Sequence, residues 1–207
     1  MTADYAAAFA ALGSATLGES GGRPMAPRMR PVWNGARISA PAFPVNCSTA
    51  DNLAIHVAVA EAPAGSVLVV NVGHEPARGY WGEVLTTGAE ARGLAGLVID
   101  GGVRDVDALE AHRFPVFSTM IALRGATKQE PGSIGGTAIV GEVEVVLDDW
   151  IVGDADGVTV ISHAHLDDVL DAGRARAEKE EKFFQELRAG RTTLQLLSLD
   201  DAPIERR

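Results

Sequence analysis

Runs of apolar residues and the breaks between them divide the chain into a lightly patterned start, an alternating helix–strand middle and a strand-rich end closed by a long helix. Residues 4–18 are alanine-rich and predict one or two short helices ending at Gly21-Gly22. Between Arg23 and Pro44 stand five of the ten prolines: Pro24, Pro27, Pro31, Pro41 and Pro44. Each removes a backbone donor and restricts the residue before it, so only short strands are expected there, around Ala36–Ser39 and Val45–Thr49. Asp51 is placed to cap a helix running to about Glu61, with Leu53, Val57 and Ala60 as its apolar stripe. Leu53, Ile55, Val57 and Val59 also alternate as a strand would, but the cap, the length and the alanines favour a helix.

Ser66–Val72 is a mostly apolar, β-branched run, the pattern of a strand buried on both faces. Residues 82–92 then predict a helix, and Gly96–Asp100 a second buried strand ended by Gly101-Gly102. A short helix near Ala108–His112 and a strand near Pro115–Ser118 follow. This βαβαβ rhythm implies parallel strands with right-handed crossovers. The second half changes character, with closely spaced β segments at Thr137–Val140, Glu142–Leu147, Trp150–Val152 and Gly157–Ile161. A long helix from about His165 to Ala189 is capped by Ser162 or a neighbour and stopped at Gly190. Leu166, Val169, Leu170, Gly173, Ala177, Phe184 and Leu187 fall near one face of it. Glu178 to Lys182 carries no large apolar residue and should be solvated or lie against another subunit. The expected organisation is a single α/β domain over 1–207: a helical, Pro-rich extension (1–44), an α/β core (45–162), a C-terminal helix (163–190) and a tail (191–207).

Composition narrows the partners. The 207 residues carry a net charge of −10, with no lysine- or arginine-rich run. Nucleic acid and anionic membrane are therefore not expected partners. Cys47 is the only cysteine, which excludes an internal disulfide and a zinc–thiolate cluster. No signal-peptide pattern opens the chain and no apolar run nears the ~20 residues of a membrane span, so a cytoplasmic protein is expected.

Ligands in open α/β sheets collect beyond the carboxyl ends of strands. The loop Gly73–Tyr80 leads into Trp81-Gly82-Glu83-Val84-Leu85, and a helix starting near Gly82 would present free N–H groups to a carboxylate or phosphate. The next strand delivers Arg104-Asp105 to the same rim. An arginine fork suits a carboxylate, and a lone aspartate suits a hard cation such as Mg²⁺. Asp105 could instead cap the following helix, although Asp107 with Glu110 makes a capping-box-like start one turn on.

Glu83, twenty intervening residues and then Arg104-Asp105 resemble the acidic-x20-Arg-Asp motif of class II pyruvate aldolases related to 4-hydroxy-4-methyl-2-oxoglutarate aldolase. The segments Gly-Leu-Ala-Gly-Leu-Val-Ile-Asp-Gly-Gly-Val-Arg-Asp, Pro-Val-Phe at 115–117 and Gly-Asp-Ala-Asp-Gly-Val at 153–158 agree, so the resemblance spans about residues 45 to 190. The same fold includes the RraA regulators, which inhibit ribonuclease E and typically lack the aspartate after the arginine. The resemblance implies a three-layer β/β/α swivelling-type domain, assembled as a homotrimer or a dimer of trimers. It implies retro-aldol cleavage of a 4-hydroxy-2-oxo acid to pyruvate with oxaloacetate decarboxylation, a non-catalytic regulator being the alternative. Asp105 would bind a divalent cation, Mg²⁺ first with Mn²⁺ or Co²⁺ as alternatives, and the cation would chelate the 2-oxo acid. Arg104 would stabilise the enolate, the Gly82–Leu85 segment would bind substrate through the N–H groups of Val84 and Leu85, and Glu83 would orient or deprotonate a water. Glu180 of a neighbouring subunit is the best match to an acidic residue that approaches the metal in this family.

Where the family often has a Pro-Gly-Asp turn, this chain has Leu147-Asp148-Asp149, and Glu83 is one methylene longer than an aspartate. His74, Glu75 and Arg78 either set specificity for the far end of the substrate or belong to an exposed polar loop. Lys128 reads as a solvated loop residue, and His56 and His112 as helix residues without a partner pattern. His163 and His165 flank a helix start rather than forming a metal pair. Gly132, Gly135 and Gly136 lack the strand–helix context of a dinucleotide site.

Overall fold

The structure is a computed structural model that describes residues 5–205. Residue 4, the expected start of the first helix, and residues 206–207, the end of the expected tail, lie outside the described residues. In chain order the elements are α1 (Tyr5–Gly18), β1 (Arg23–Pro24), β2 (Arg30–Pro31), β3 (Ile38–Cys47), α2 (Leu53–Glu61), β4 (Val67–Asn71), β5 (Gly79–Trp81), α3 (Glu83–Ala91) and β6 (Gly96–Val103). There follow α4 (Val106–His112), β7 (Val116–Ile121), β8 (Gly132–Ile134), β9 (Thr137–Val140), β10 (Val143–Val146), β11 (Trp150–Asp154), β12 (Gly157–Ile161), α5 (Leu166–Arg188) and α6 (Thr193–Leu197).

The main sheet runs β1-β12-β11-β3-β4-β6-β7-β2, with β5 added beside β6 and β8 beside β3. Its centre, β3-β4-β6-β7, is parallel, as the βαβαβ rhythm required. Its flanks are antiparallel, and β9–β10 forms a separate hairpin against β3 and β4. The β/β/α class expected from the sequence is the class observed. Two apolar clusters hold it together. The larger spans the parallel strands with Leu68, Leu97, Ile99 and Phe117 fully buried. The smaller seats α1 and α5 on β11 and β12 through Phe9, Leu17, Val152, Ile161, Val169 and Leu170.

Several local expectations are corrected. The two short strands expected around Ala36–Ser39 and Val45–Thr49 are one ten-residue strand, β3, running through Pro41 and Pro44. It pairs with β11 over Ile38–Pro41 and with β4 over Ala42–Asn46, so each proline has a ladder partner on one side and its missing N–H is tolerated on the other. Gly101 and Gly102 do not end β6. A Cβ at Gly102 would lie 2.4 Å from the Arg78 carbonyl oxygen, so glycine is there to let β5 approach. On α2 the buried residues are Ala54, Ile55, Ala58 and Val59, whereas the expected stripe of Leu53, Val57 and Ala60 is exposed. Small alanines let this helix sit close to the sheet, and that fixes its inward face. The buried residues of α5 are Val169, Leu170 and Gly173, and Phe184 in its second half is 45% exposed.

Candidate active site

The carboxyl ends of β5 and β6 lie side by side, Trp81 paired with Val103, so the residues after each strand emerge at one rim. After β5 the chain turns directly into α3, whose N-cap is Gly82. After β6 it turns into α4, whose N-cap is Asp105, held in the left-handed region at φ 60°, ψ 40°. Aspartate tolerates that conformation better than most side chains, and such sparsely populated backbone gathers at functional sites. Asp107 is therefore not the cap, contrary to the capping-box expectation; it lies in the first turn of α4. Nor does Asp105 cap its own helix through its side chain. Its Oδ2 accepts the Glu83 N–H at 3.0 Å, so the carboxylate closes the start of α3 across the rim.

A cavity of about 260 Å³ opens at this rim. Gly82, Val84, Leu85, Arg104 and Asp105 line it, so these five of the expected residues share one cavity, whereas Glu83 and Glu180 are not part of its lining. The N–H of Glu83 is taken by Asp105, while those of Val84 and Leu85 belong to the first turn and have no partner within the helix. Arg104 is half-exposed, its Nη1 donating to the Leu123 carbonyl at 3.4 Å and its Nε 3.9 Å from Asp105 Oδ2. The Glu83 side chain is placed differently. It does not line the cavity, is 57% exposed, and has Oε1 3.7 Å from His112 Nε2.

Another part of the lining was not legible in the sequence. It is made by Asn52, His56, Tyr80, Ala126 and Lys128. The loop carrying Lys128 is held by Asp51, not by its own pattern. Buried Asp51 accepts from Thr127 Oγ1 at 2.8 Å, Gln129 N at 2.6 Å and Glu130 N at 3.2 Å through Oδ2, and from Leu53 N at 2.8 Å through Oδ1. Burial pushes its pKa up, but the hydrogen bonds from Gln129, Leu53, Thr127 and Glu130 outweigh that and bring it to about 2. Asp51 is thus a clamp rather than the helix cap, which is Asn52. Lys128 is an exposed loop residue, as expected, and it also lines the cavity. Burial and the positive charge of Lys128 lower the pKa of His56 against the opposing pull of Asp51, so its ring is neutral at pH 7. His56 Nε2 and Asn52 Oδ1 are buried without a hydrogen-bond partner. The one available signal was the spacing of Asn52, the N-cap of α2, and His56, one helical turn further on.

Of the loop residues, Arg78 is a clamp. Its Nη1 donates to the Gly125 carbonyl at 3.2 Å and its Nη2 pairs with Glu75 at 2.9 Å. His74 and Glu75 do not line the cavity. Glu180 is ion-paired within α5 to Arg176 Nε at 2.9 Å and does not line the cavity of its own chain.

No cluster of three or more metal-ligating side chains occurs among the described residues. Mg²⁺ does not need one, since it is commonly held by one or two carboxylates with water and substrate oxygens filling the rest. The donor set fits that requirement. Asp105 Oδ2 is fixed by Glu83 N, and a Cβ on residue 82 would sit 2.3 Å from it, so glycine keeps open the space the carboxylate uses.

The RraA-like family model, described as Aldolase/RraA, matches residues 6–160. A protein of Halalkalibacterium halodurans named "Putative 4-hydroxy-4-methyl-2-oxoglutarate aldolase" is 33% identical over 153 residues, 74% of this chain and 73% of its own length. An uncharacterized protein from Pseudomonas syringae pv. tomato has the same fold at a TM-score of 0.79 and 25% identity, covering 87% of this chain and 86% of that one. RraAS2 of Streptomyces coelicolor, described as an unusual member of the RNase ES inhibitor RraA family, superposes at a TM-score of 0.74 with 22% identity over 92% of this chain and 98% of its own. Among the described residues no helix is long and apolar enough to cross a membrane.

Proposed function

Since the chain belongs to the RraA-like Aldolase/RraA family, we propose that it is a divalent-metal-dependent lyase. It cleaves a 4-hydroxy-2-oxo acid of the 4-hydroxy-4-methyl-2-oxoglutarate type to pyruvate, and it decarboxylates oxaloacetate. The observation carrying this reading is that Arg104, Asp105 and the open N-terminus of α3 line one cavity. Both reactions generate a pyruvate enolate, whose negative oxygen is what a site of this make-up stabilises. Asp105 holds the cation, which when bound supplies a Lewis acid for that charge. Arg104 binds the carboxylate–keto end with its planar fork and neutralises the developing enolate. The N–H groups of Val84 and Leu85 receive the substrate carboxylate at the positive end of α3. Glu83, on the same first turn, orients or deprotonates a water and so handles the proton transfers. Lys128, also on the cavity lining, pairs with the second carboxylate of a dicarboxylic substrate, and neutral His56 adds no competing charge.

We place the chain in the cytoplasm as a homotrimer or dimer of trimers. Support for assembly comes from Val84, 83% exposed, and Leu123, 80% exposed, two apolar side chains on the segments that frame the cavity. Glu180 of a neighbouring subunit would then complete the site. The competing reading is a non-catalytic regulator of ribonuclease E. Pyruvate release from oxaloacetate and from 4-hydroxy-4-methyl-2-oxoglutarate, with and without Mg²⁺ or Mn²⁺, separates the two. Metal-dependent pyruvate that disappears in Asp105→Ala is the expected result, and its absence from both substrates refutes the enzyme reading.

A further inference from the structure

Glu83 and Glu90 lie two turns apart on one face of α3, and His112, the last residue of α4, stands between them. Its Nδ1 is 2.8 Å from Glu90 Oε2 and its Nε2 is 3.7 Å from Glu83 Oε1. The imidazole is 27% exposed and Glu90 35%, whereas Glu83 is 57% exposed. The ring is thus held on its inner side by the less exposed acid and turns its other nitrogen to the more exposed one. Without such a partner, a glutamate this exposed would sample many rotamers, which is a poor state for a group that must meet a proton at one point. Leu109, fully buried one turn before His112, anchors α4 and keeps the ring at this height.

We propose that His112 is a positioning residue for Glu83. Glu90 orients the imidazole through Nδ1, and Nε2, facing Glu83 Oε1 at 3.7 Å, keeps the Glu83 carboxylate to one side of the first turn of α3, between Gly82 and Val84 that line the cavity, where it serves the proton transfers. This arrangement rests on the lyase reading above. His112 lines no part of the cavity, so it acts on rate rather than on substrate affinity.

Three variants and one spectrum test it. In His112→Leu, kcat for oxaloacetate should fall roughly 10- to 100-fold, the usual size for a partner that orients an active-site group, with KM changing less than about twofold. His112→Gln, which restores a donor near the Nε2 position, should recover most of that loss. In a Glu83→Gln background His112→Leu should have no further effect on kcat. Independently of turnover, ¹⁵N-histidine NMR should show the His112 ring resonances, assigned by their absence in His112→Gln, moving in Glu83→Gln. Equal losses in the two backgrounds, a loss confined to KM, or an unmoved His112 resonance would each overturn the proposal. If His112→Leu does not fold, His112→Gln and the spectrum decide. A wild-type chain that releases no pyruvate refutes the lyase reading, while the spectrum still decides whether His112 and Glu83 are coupled.

Discussion

Gly82→Ala is the substitution whose consequence the geometry defines most narrowly. Residue 82 has φ −170° and ψ −167°, an extended backbone that alanine adopts freely, so no backbone strain enters. Its Cβ would lie 2.3 Å from Asp105 Oδ2 and 3.2 Å from Arg104 Cγ, and real Cβ contacts essentially never fall under 3.0 Å. The Asp105 carboxylate must therefore retreat by about 0.7 Å or more, a displacement on the scale that costs roughly 100-fold in a reacting constellation. The same retreat weakens the 3.0 Å hydrogen bond from Glu83 N. Hydrogen bonds to charged groups contribute about 1.5–3 kcal/mol, and the 42% exposure of Asp105 places this one at or below the low end. The melting temperature should accordingly fall by only about 2–5 °C in a chain of this length. Pyruvate release coupled to NADH oxidation by lactate dehydrogenase, followed across an Mg²⁺ titration, reads the catalytic effect, and a thermal melt reads the structural one. We expect kcat/KM down roughly 100-fold, a weaker apparent Mg²⁺ affinity and a nearly intact melt. An alanine variant with wild-type kcat/KM and an unchanged Mg²⁺ dependence would refute the role given to Asp105.

Other expectations follow from the same contacts. Arg104→Lys keeps the charge but loses the planar fork, and kcat for oxaloacetate should drop roughly 100-fold with the fold intact by circular dichroism. Lys128→Ala should raise KM about three- to fivefold for oxaloacetate, the size of an exposed ion pair, yet change it less than twofold for a 4-hydroxy-2-oxo acid lacking a second carboxylate; equal changes for both would remove Lys128 from specificity. Asp51 has a folded pKa of about 2, below its ordinary 3.8, so its contribution to stability is complete above about pH 4 and is lost as pH falls towards 2. Chemical denaturation at a series of pH values should show a loss of at most about 2 kcal/mol across that window in the wild type, and a smaller one in Asp51→Asn. At neutral pH Asp51→Asn should itself be destabilised by about 3 kcal/mol, because an amide offers its NH2 group to donors that need an acceptor.

The parts of this fold legible in the sequence are those whose cause is local. The continuous apolar runs of β4 and β6 carry burial on both faces in their own composition, and the parallel order follows from the helices between them. Arg104 and Asp105 were legible because they stand directly after such a run. Where the cause is a contact across the chain, the sequence misleads. The outward face of α2 looks apolar because Leu53 and Val57 are larger than the alanines that bring the helix down onto the sheet. Gly101-Gly102 looks like a terminator because the backbone it admits, at Arg78, comes from elsewhere. Lys128 is exposed as its loop pattern suggests, but its place at the cavity is hidden because the clamp that brings the loop there is Asp51, seventy-odd residues away.

Asp105 joins the two cases. Capping rules read along the chain favour Asp107 with Glu110, since they ask which acid best closes the helix that follows it. In the fold Asp105 occupies the N-cap of α4 by its backbone and gives its carboxylate to the N–H of Glu83 on α3. One residue therefore links two helix starts twenty-two positions apart. That link ties the spacing between Glu83 and Arg104-Asp105 to the fold: β6 and the turn before it must return the chain to the start of α3 in register. Lengthening the segment by one residue would move Asp105 off Glu83 N while leaving every local pattern intact. The motif is a statement about a strand pairing, Trp81 with Val103, as much as about chemistry.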